Sequence, residues 1–240
     1  MKIRRAMILA AGFGKRLSPI TDKIPKPLII VNNITLLENT LRFLKTIGIE
    51  EIAINVHYLA NQIINFIKKL ENNYNVKIFK EDYILGTGGG IFNCLPFFKN
   101  ENFLVVNCDT IWNLKYKIPF NELKLKMTQE NVHIGMLVLK KNYSFDTNLK
   151  GDFAKQSITS NFILKKDSKN NNLIYTGCQI INPAVFREQK KKIFPINLIW
   201  DNEINKKKII CQTDDQFSNF YHVTNIKIYN LIKNLKITDL

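Results

Sequence analysis

The segment Leu9-Ala-Ala-Gly-Phe-Gly-Lys-Arg-Leu-Ser-Pro-Ile-Thr-Asp-Lys-Ile-Pro-Lys-Pro-Leu28 concentrates the residue types that handle phosphate. Ala11, Gly12, Phe13 and Gly14 make a turn in which backbone N–H groups can approach an oxyanion closely, and Lys15 and Arg16 follow at once. Lys26 stands between Pro25 and Pro27, a stiff setting that offers its ammonium at a defined position with little entropy to lose. Two common nucleotide loops do not match. A dinucleotide fingerprint needs a third glycine where Leu17 stands, and a Walker A loop needs Ser or Thr after Gly14-Lys15, where Arg16 stands. The turn therefore reads as a triphosphate site of another type, with Arg16 and Lys26 as its working charges.

Such a loop needs a strand to deliver it. Ile3 to Leu9 is a short apolar run that supplies one, and helical spacing of Leu37, Leu41 and Leu44 over Leu36 to Ile47, stopped by Gly48, leads to a second strand at Glu51 to Val56. Tyr58 to Leu70 predicts a helix and Val76 to Phe79 its returning strand. After Leu85-Gly-Thr-Gly-Gly-Gly90 a short helix through Phe98 leads to an apolar strand, Phe103 to Cys108, closed by Asp109. Three β-α-β units imply an α/β fold with a mostly parallel sheet and helices on both faces. From Val132 the pattern becomes mixed: strands are expected at Ile134 to Leu139, Asp152 to Ile158, Phe162 to Leu164, Leu173 to Ile181, Ile209 to Thr213 and Phe220 to Val223. A hairpin loop is expected at Lys165 to Asn172, and helices at Pro195 to Ile204 and Asn225 to Leu235.

The chain of 240 residues carries 35 Lys and Arg against 20 Asp and Glu, a formal charge of +15. The basic residues are dispersed, and the triple runs at Lys190 to Lys192 and Lys206 to Lys208 lack aromatic interleaving, so no nucleic-acid partner is expected. Cys94, Cys108, Cys178 and Cys211 form no metal-type spacing, and no apolar run is long enough for a membrane span or secretory leader. The expected setting is cytoplasmic, with reduced thiols and no membrane partner.

Gly12 to Leu28 fits G-x-G-x-R-x-x-P-x-T-x-x-x-P-K-P-L throughout and resembles the signature of the sugar-1-phosphate nucleotidyltransferases. Within that superfamily the chain is most similar to the short bacterial N-acetylmuramate-1-phosphate uridylyltransferases. The matching pieces are Leu85 to Ile91, Asn93 to Pro96, Val105 to Trp112, Gly151-Asp-Phe153, Tyr175-Thr-Gly177 and Asn182 to Phe186. The resemblance implies a Rossmann-like nucleotidyltransferase fold and a divalent metal. The reaction it implies is attack of a sugar 1-phosphate on the α-phosphorus of an NTP, with release of pyrophosphate and no covalent enzyme intermediate. UTP with N-acetylmuramate 1-phosphate, in peptidoglycan recycling, is the leading expectation; GTP with mannose or heptose 1-phosphate is the alternative.

The residues support this reading. Asp109 ends a parallel strand, where carboxyl ends face a ligand crevice and a carboxylate can hold Mg²⁺, although a lone Asp there can equally be a cap. Thr87, Gly88 and Gly89 are small enough for a flat base to lie against the backbone, or simply enter a helix. Asn107 and Asp152 can bond sugar hydroxyls, and Tyr175, Thr176 and Gly177 can line a sugar pocket, though isolated they are ordinary structural residues. Two positions depart from the uridylyltransferases. His222 stands where their second metal Asp is expected, which leans the metal from Mg²⁺ towards Mn²⁺ if the imidazole ligates. Gly86 stands where they usually carry Glu, as in the guanylyltransferases. The replaced carboxylate also leaves room for a catalytically silent nucleotide-sugar sensor. Residues 1–240 are expected to form one domain, with a nucleotide-binding half (1–131), a sugar-binding half (132–240) and no hexapeptide-repeat domain, as a monomer or small homo-oligomer.

Overall fold

The computed structural model describes residues 1–155, 164–165, 171–213 and 220–235. In chain order its elements are β1 (Arg5–Leu9), β2 (Ile30–Val31), β3 (Ile34–Thr35), α1 (Leu36–Thr46), β4 (Glu51–Val56), α2 (Ala60–Lys68), β5 (Val76–Lys80), α3 (Gly86–Asn93), β6 (Phe103–Asn107), α4 (Lys117–Gln129), β7 (Ile134–Lys140), β8 (Ala154–Lys155), β9 (Leu164–Lys165), β10 (Leu173–Ile181), α5 (Asn197–Asn205), β11 (Ile209–Thr213) and α6 (Ile226–Ile232). Seven strands form one sheet in the order β11-β7-β10-β6-β1-β4-β5. All neighbours run parallel except β10, which is antiparallel to both β6 and β7. The mixed α/β architecture expected from the sequence is the one observed.

Alternation along each strand builds two cores. Ala6, Ile8, Leu104 and Val106 face α1, α2, α4 and α6 through Leu37, Leu41, Ile63, Phe120 and Ile228. Met7, Val105, Met136 and Val138 face the other way, towards Ile91 of α3 and Ile199 and Trp200 of α5. Local chemistry sets the helix ends. Thr35 caps α1 by accepting from the Glu38 N–H at 3.1 Å, and Gly48 takes φ +84° just past its end.

The chain adds β4 and β5 on one side of β1 and β6 on the other. That reversal leaves a crevice beyond the carboxyl ends of β1 and β6, the place where open α/β sheets receive ligands. Three local expectations are revised. The glycine-rich segment is the first turn of α3 itself, because its packing on the 192–194 segment offsets the poor helix propensity of glycine. Phe220 and His222 form isolated bridges to Ser144 and Thr110 in place of a strand. Helix α4, unforeseen, carries exposed Ile118 and Leu125 opposite buried Phe120 and Leu123, so no single apolar stripe announces it. The strand ends expected at 156–158 and 162–163, and most of the hairpin loop at 165–172, lie outside the described residues.

Candidate active site

Strand β1 delivers the loop into a cleft of about 570 Å³ lined by Ala11, Gly12, Gly14, Lys15, Arg16, Lys26, Asn107, Asp109, Gly86, Thr87 and Tyr175, among others. Gly14 is a conformational necessity. It holds φ +67°, and a Cβ there would lie 2.9 Å from Thr21 Cγ2. The Thr21 hydroxyl donates to the Gly14 carbonyl at 3.1 Å, and the Tyr58 hydroxyl donates to the Thr21 carbonyl at 2.9 Å, which pins the turn from behind. Gly12 differs: a Cβ there would meet nothing within 4 Å, so the turn presents an open side. Arg16 is exposed on the rim of the cleft. Phe13 turns out of the cleft, packing on His57 and Tyr58 with ring centroids 5.8 and 5.4 Å away.

The proline-clamped turn aims Lys26 across the cleft at the end of β6, where its Nζ donates to Asp109 Oδ2 at 2.6 Å. Both side chains are largely sheltered, 15% and 23% exposed. His222 Nε2 lies 3.0 Å from the same oxygen, too far off axis for a hydrogen bond. Burial pushes the Asp109 carboxyl up, but the charges beside it at His222 and Lys26, with the Lys26 hydrogen bond, override it and hold the group well below the usual carboxylate range. Asp109 is therefore an anion already engaged by the protein. Its other oxygen, Oδ1, and His222 Nε2 are buried without hydrogen-bond partners. Among the described residues no group of three or more His, Cys, Asp or Glu is arranged to hold a metal. The pair Asp109 Oδ1 and His222 Nε2 nevertheless fits a divalent cation whose other positions water or phosphate oxygens fill.

The opposite wall separates the remaining expected residues. Gly86 and Thr87 open into the cleft, whereas Gly88 and Gly89 do not line it. A Cβ on Gly88 would meet the Phe194 ring at 2.4 Å, and one on Gly89 the Lys192 carbonyl oxygen at 2.2 Å, so these glycines serve close packing of α3. In β10 the pairing with β7 slips between Tyr175 and Gln179, and Gly177 adopts φ +90° inside that irregularity. Tyr175 and Gln179, four residues apart on one face of β10, both line the cleft. The Tyr175 hydroxyl is buried with no hydrogen-bond partner, and burial raises it well above the ordinary phenol range, so it waits as a neutral donor. Thr176 and Asp152 do not line the cleft, and each side chain is held by the backbone. The Thr176 hydroxyl donates to the Leu137 carbonyl at 2.9 Å, and Asp152 Oδ2 accepts from the Tyr175 N–H at 2.9 Å. Gly177 lets the Asn107 side chain approach, since a Cβ would lie 2.8 Å from that residue's own Cβ.

Several lining residues escaped the sequence reading: Asn55, Glu81, Gln179, Trp200 and Thr224. The Trp200 indole N–H donates to Gln179 Oε1 at 2.9 Å, with the Tyr175 ring 5.2 Å from the Trp200 ring. A signal existed for two of them, because Asn55 interrupts an apolar strand and Glu81 directly follows β5, both at carboxyl ends of parallel strands.

Comparison with known proteins agrees with this geometry. The D-glycero-alpha-D-manno-heptose 1-phosphate guanylyltransferase of Campylobacter jejuni is 30% identical over 227 residues, which is 91% of this chain and 97% of that protein. The N-acetylmuramate alpha-1-phosphate uridylyltransferase of Neisseria meningitidis is 32% identical over 76% of this chain and 77% of that protein. A UDP-glucose pyrophosphorylase solved with UDP-glucose superposes with a TM-score of 0.77 at 17% identity, over 97% of this chain and 98% of that one, a likeness of fold. The nucleotidyl transferase family model matches residues 5–145, which span the loop, Lys26, both strands of the switch point and Asp109, and the chain belongs to that family.

Proposed function

We propose that the protein transfers a nucleotidyl group from an NTP to a sugar 1-phosphate, releasing pyrophosphate. The observation that carries this reading is the convergence of Arg16, the open side of Gly12, Lys26 and Asp109 on one cleft at the switch point. Both reactants are anions, so the work is neutralisation and alignment rather than covalent chemistry. Arg16 and the loop amides face the β- and γ-phosphates, and Lys26, with two donors left after its bond to Asp109, faces the α-phosphate. Asp109 Oδ1, with His222 Nε2, would hold a divalent cation, Mg²⁺ or Mn²⁺, which adds positive charge beside the phosphates. The Tyr175 hydroxyl, Gln179 and Asn107 line the side where the sugar lies.

GTP with a heptose or mannose 1-phosphate is the substrate pair we favour. Gly86 holds φ +74°, and a Cβ there would lie 2.8 Å from the Phe194 carbonyl oxygen, so the Glu usual in the uridylyltransferases has no place in this backbone. The extent of the match to the heptose 1-phosphate guanylyltransferase supports the same reading. UTP with N-acetylmuramate 1-phosphate is the second reading, carried by the uridylyltransferase match. Pyrophosphate release measured across GTP, UTP, ATP, CTP and dTTP, each with heptose, mannose, glucose and N-acetylmuramate 1-phosphates, tests both. Turnover with GTP and one of the first two sugars is expected, turnover confined to UTP with N-acetylmuramate 1-phosphate selects the second reading, and silence with every pair overturns transferase activity.

A further inference from the structure

At the floor of the cleft two buried polar residues bridge its walls. Asn55, at the end of β4, and Glu81, just past β5, are each 4% exposed. Asn55 Oδ1 accepts from the Ala10 N–H at 3.0 Å, at the root of the phosphate loop. Asn55 Nδ2 donates to Glu81 Oε1 at 2.7 Å, and Glu81 Oε2 accepts from the Leu85 N–H at 3.2 Å, at the start of α3. The chain of contacts therefore runs from loop to helix without a gap. Helix α3 is also seated directly on the pair, since a Cβ on Gly90 would lie 2.7 Å from Asn55 Nδ2 and 2.9 Å from Glu81 Oε1. The backbone holds the same junction: the Glu81 N–H donates to the Val56 carbonyl at 2.8 Å, and His57 Nδ1 lies 2.9 Å from the Glu81 carbonyl oxygen.

The residue type at 55 is closely constrained. The Ala10 N–H demands an acceptor and the Glu81 carboxylate demands a donor, and a short carboxamide supplies both from one plane. Asp keeps the acceptor but sets a second carboxylate against Glu81, while Ala leaves buried polar groups on both sides unmatched.

We infer that Asn55 is a positioning residue which, through Glu81, fixes the distance between the phosphate loop and the N-terminus of α3, so that one NTP spans both. The inference rests on the proposed reading that the cleft binds an NTP. A ligand with two ends gains from both subsites only when their spacing is preset, whereas a ligand occupying one subsite is indifferent to that spacing. Inorganic triphosphate engages the loop alone; GTP or UTP reaches α3 as well.

The test is a pair exchange. Asn55→Asp breaks the match with Glu81. The double variant Asn55→Asp with Glu81→Gln restores it with the donor direction reversed, because the new carboxamide donates to residue 55 and still accepts from the Leu85 N–H. Binding of GTP, UTP and inorganic triphosphate is measured by calorimetry, with melting temperature as the control, and KM and kcat are measured for the nucleotide the wild type uses. Asn55→Asp is expected to weaken that nucleotide by about tenfold or more, the usual cost of mismatching a buried polar pair. The loss should appear in KM, triphosphate affinity should change by less than about twofold, and the double variant should recover to within about threefold. Three results overturn the inference: nucleotide affinity unchanged in folded Asn55→Asp, equal loss of nucleotide and triphosphate, or no recovery in the double variant. Wild-type protein that binds neither GTP nor UTP overturns the functional reading itself, and the strut with it.

Discussion

Lys26 and Asp109, read from the sequence as one charge for phosphate and one for metal, first hold each other at 2.6 Å. Each is preorganised by the other, so in the proposed reaction transfer would start from an aligned pair that a metal and phosphate would share out between them. Lys26→Ala and Arg16→Ala are each expected to lower turnover by about 10²-fold or more, the scale of losing one preorganised charge contact. A folded Lys26→Ala protein with near-wild-type turnover would remove the mechanism. The sequence alone implies that the Asp109 carboxylate interacts mainly with an ion, so that Asp109→Asn would keep its melting temperature. The contacts to Lys26 and His222 change that expectation. Asp109→Asn should abolish transfer and also lower the melting temperature without added metal, by about 2–4 °C for each kcal/mol lost in a chain of this size. Thermal melts beside the pyrophosphate assay check both parts, and an unchanged melt would mean the pair contributes nothing to the fold. The site was legible where its residues are contiguous, as from Gly12 to Lys26. Asn55, Glu81 and Gln179 were not, because each is a single polar residue in or beside an apolar strand, and only the assembled sheet shows that their side chains reach one cleft.

At the scale of elements the glycines divide by what they touch. Gly12→Ala adds a methyl where nothing lies within 4 Å, so the fold should melt as wild type while turnover falls, because the methyl intrudes on the open side where phosphate oxygens would lie. Gly14→Ala forces a left-handed residue and a contact with Thr21, so stability and turnover should fall together, with about 1–2 kcal/mol lost to the backbone alone. Gly89→Ala should cost about 1–3 kcal/mol by overpacking α3 against the Lys192 carbonyl. Denaturant unfolding and steady-state assays of the three variants separate these outcomes; a stable, inactive Gly89→Ala would return that glycine to the nucleotide site. A run such as Gly86-Thr-Gly-Gly-Gly90 does not say which of its glycines answer to ligand and which to protein. Positive φ and neighbouring backbone decide that, and both depend on the 192–194 segment about a hundred residues away.

For the whole molecule, periodicity specified the fold class because buried parallel strands and amphipathic helices have different repeats, yet strand order and the reversal at β10 come from long-range pairing that local patterns do not encode. The two faces of that sheet carry separate cores, and the cysteines sample both: Cys108 and Cys178 belong to the face covered by α1, α2, α4 and α6, Cys94 and Cys211 to the face covered by α3 and α5. All four are buried and outside any disulfide. Burial pushes the Cys94 thiol up to about 12, and Cys108 and Cys178 are raised for the same reason, so at pH 8 these three carry almost no thiolate, and burial also shields all four from a reagent. Native protein at pH 8 should therefore leave all four thiols unreacted towards a disulfide reagent. Because both cores share every strand of one sheet, they should be lost together, and labelling with increasing urea, read cysteine by cysteine by mass spectrometry, should give one midpoint for the four. Earlier labelling of Cys94 and Cys211 would show that the α3 and α5 layer separates before the opposite face. That layer forms the wall of the cleft carrying Gly86, Thr87 and Trp200, so an early midpoint there would make the substrate wall a unit that opens on its own; a common midpoint makes it as rigid as the sheet it covers.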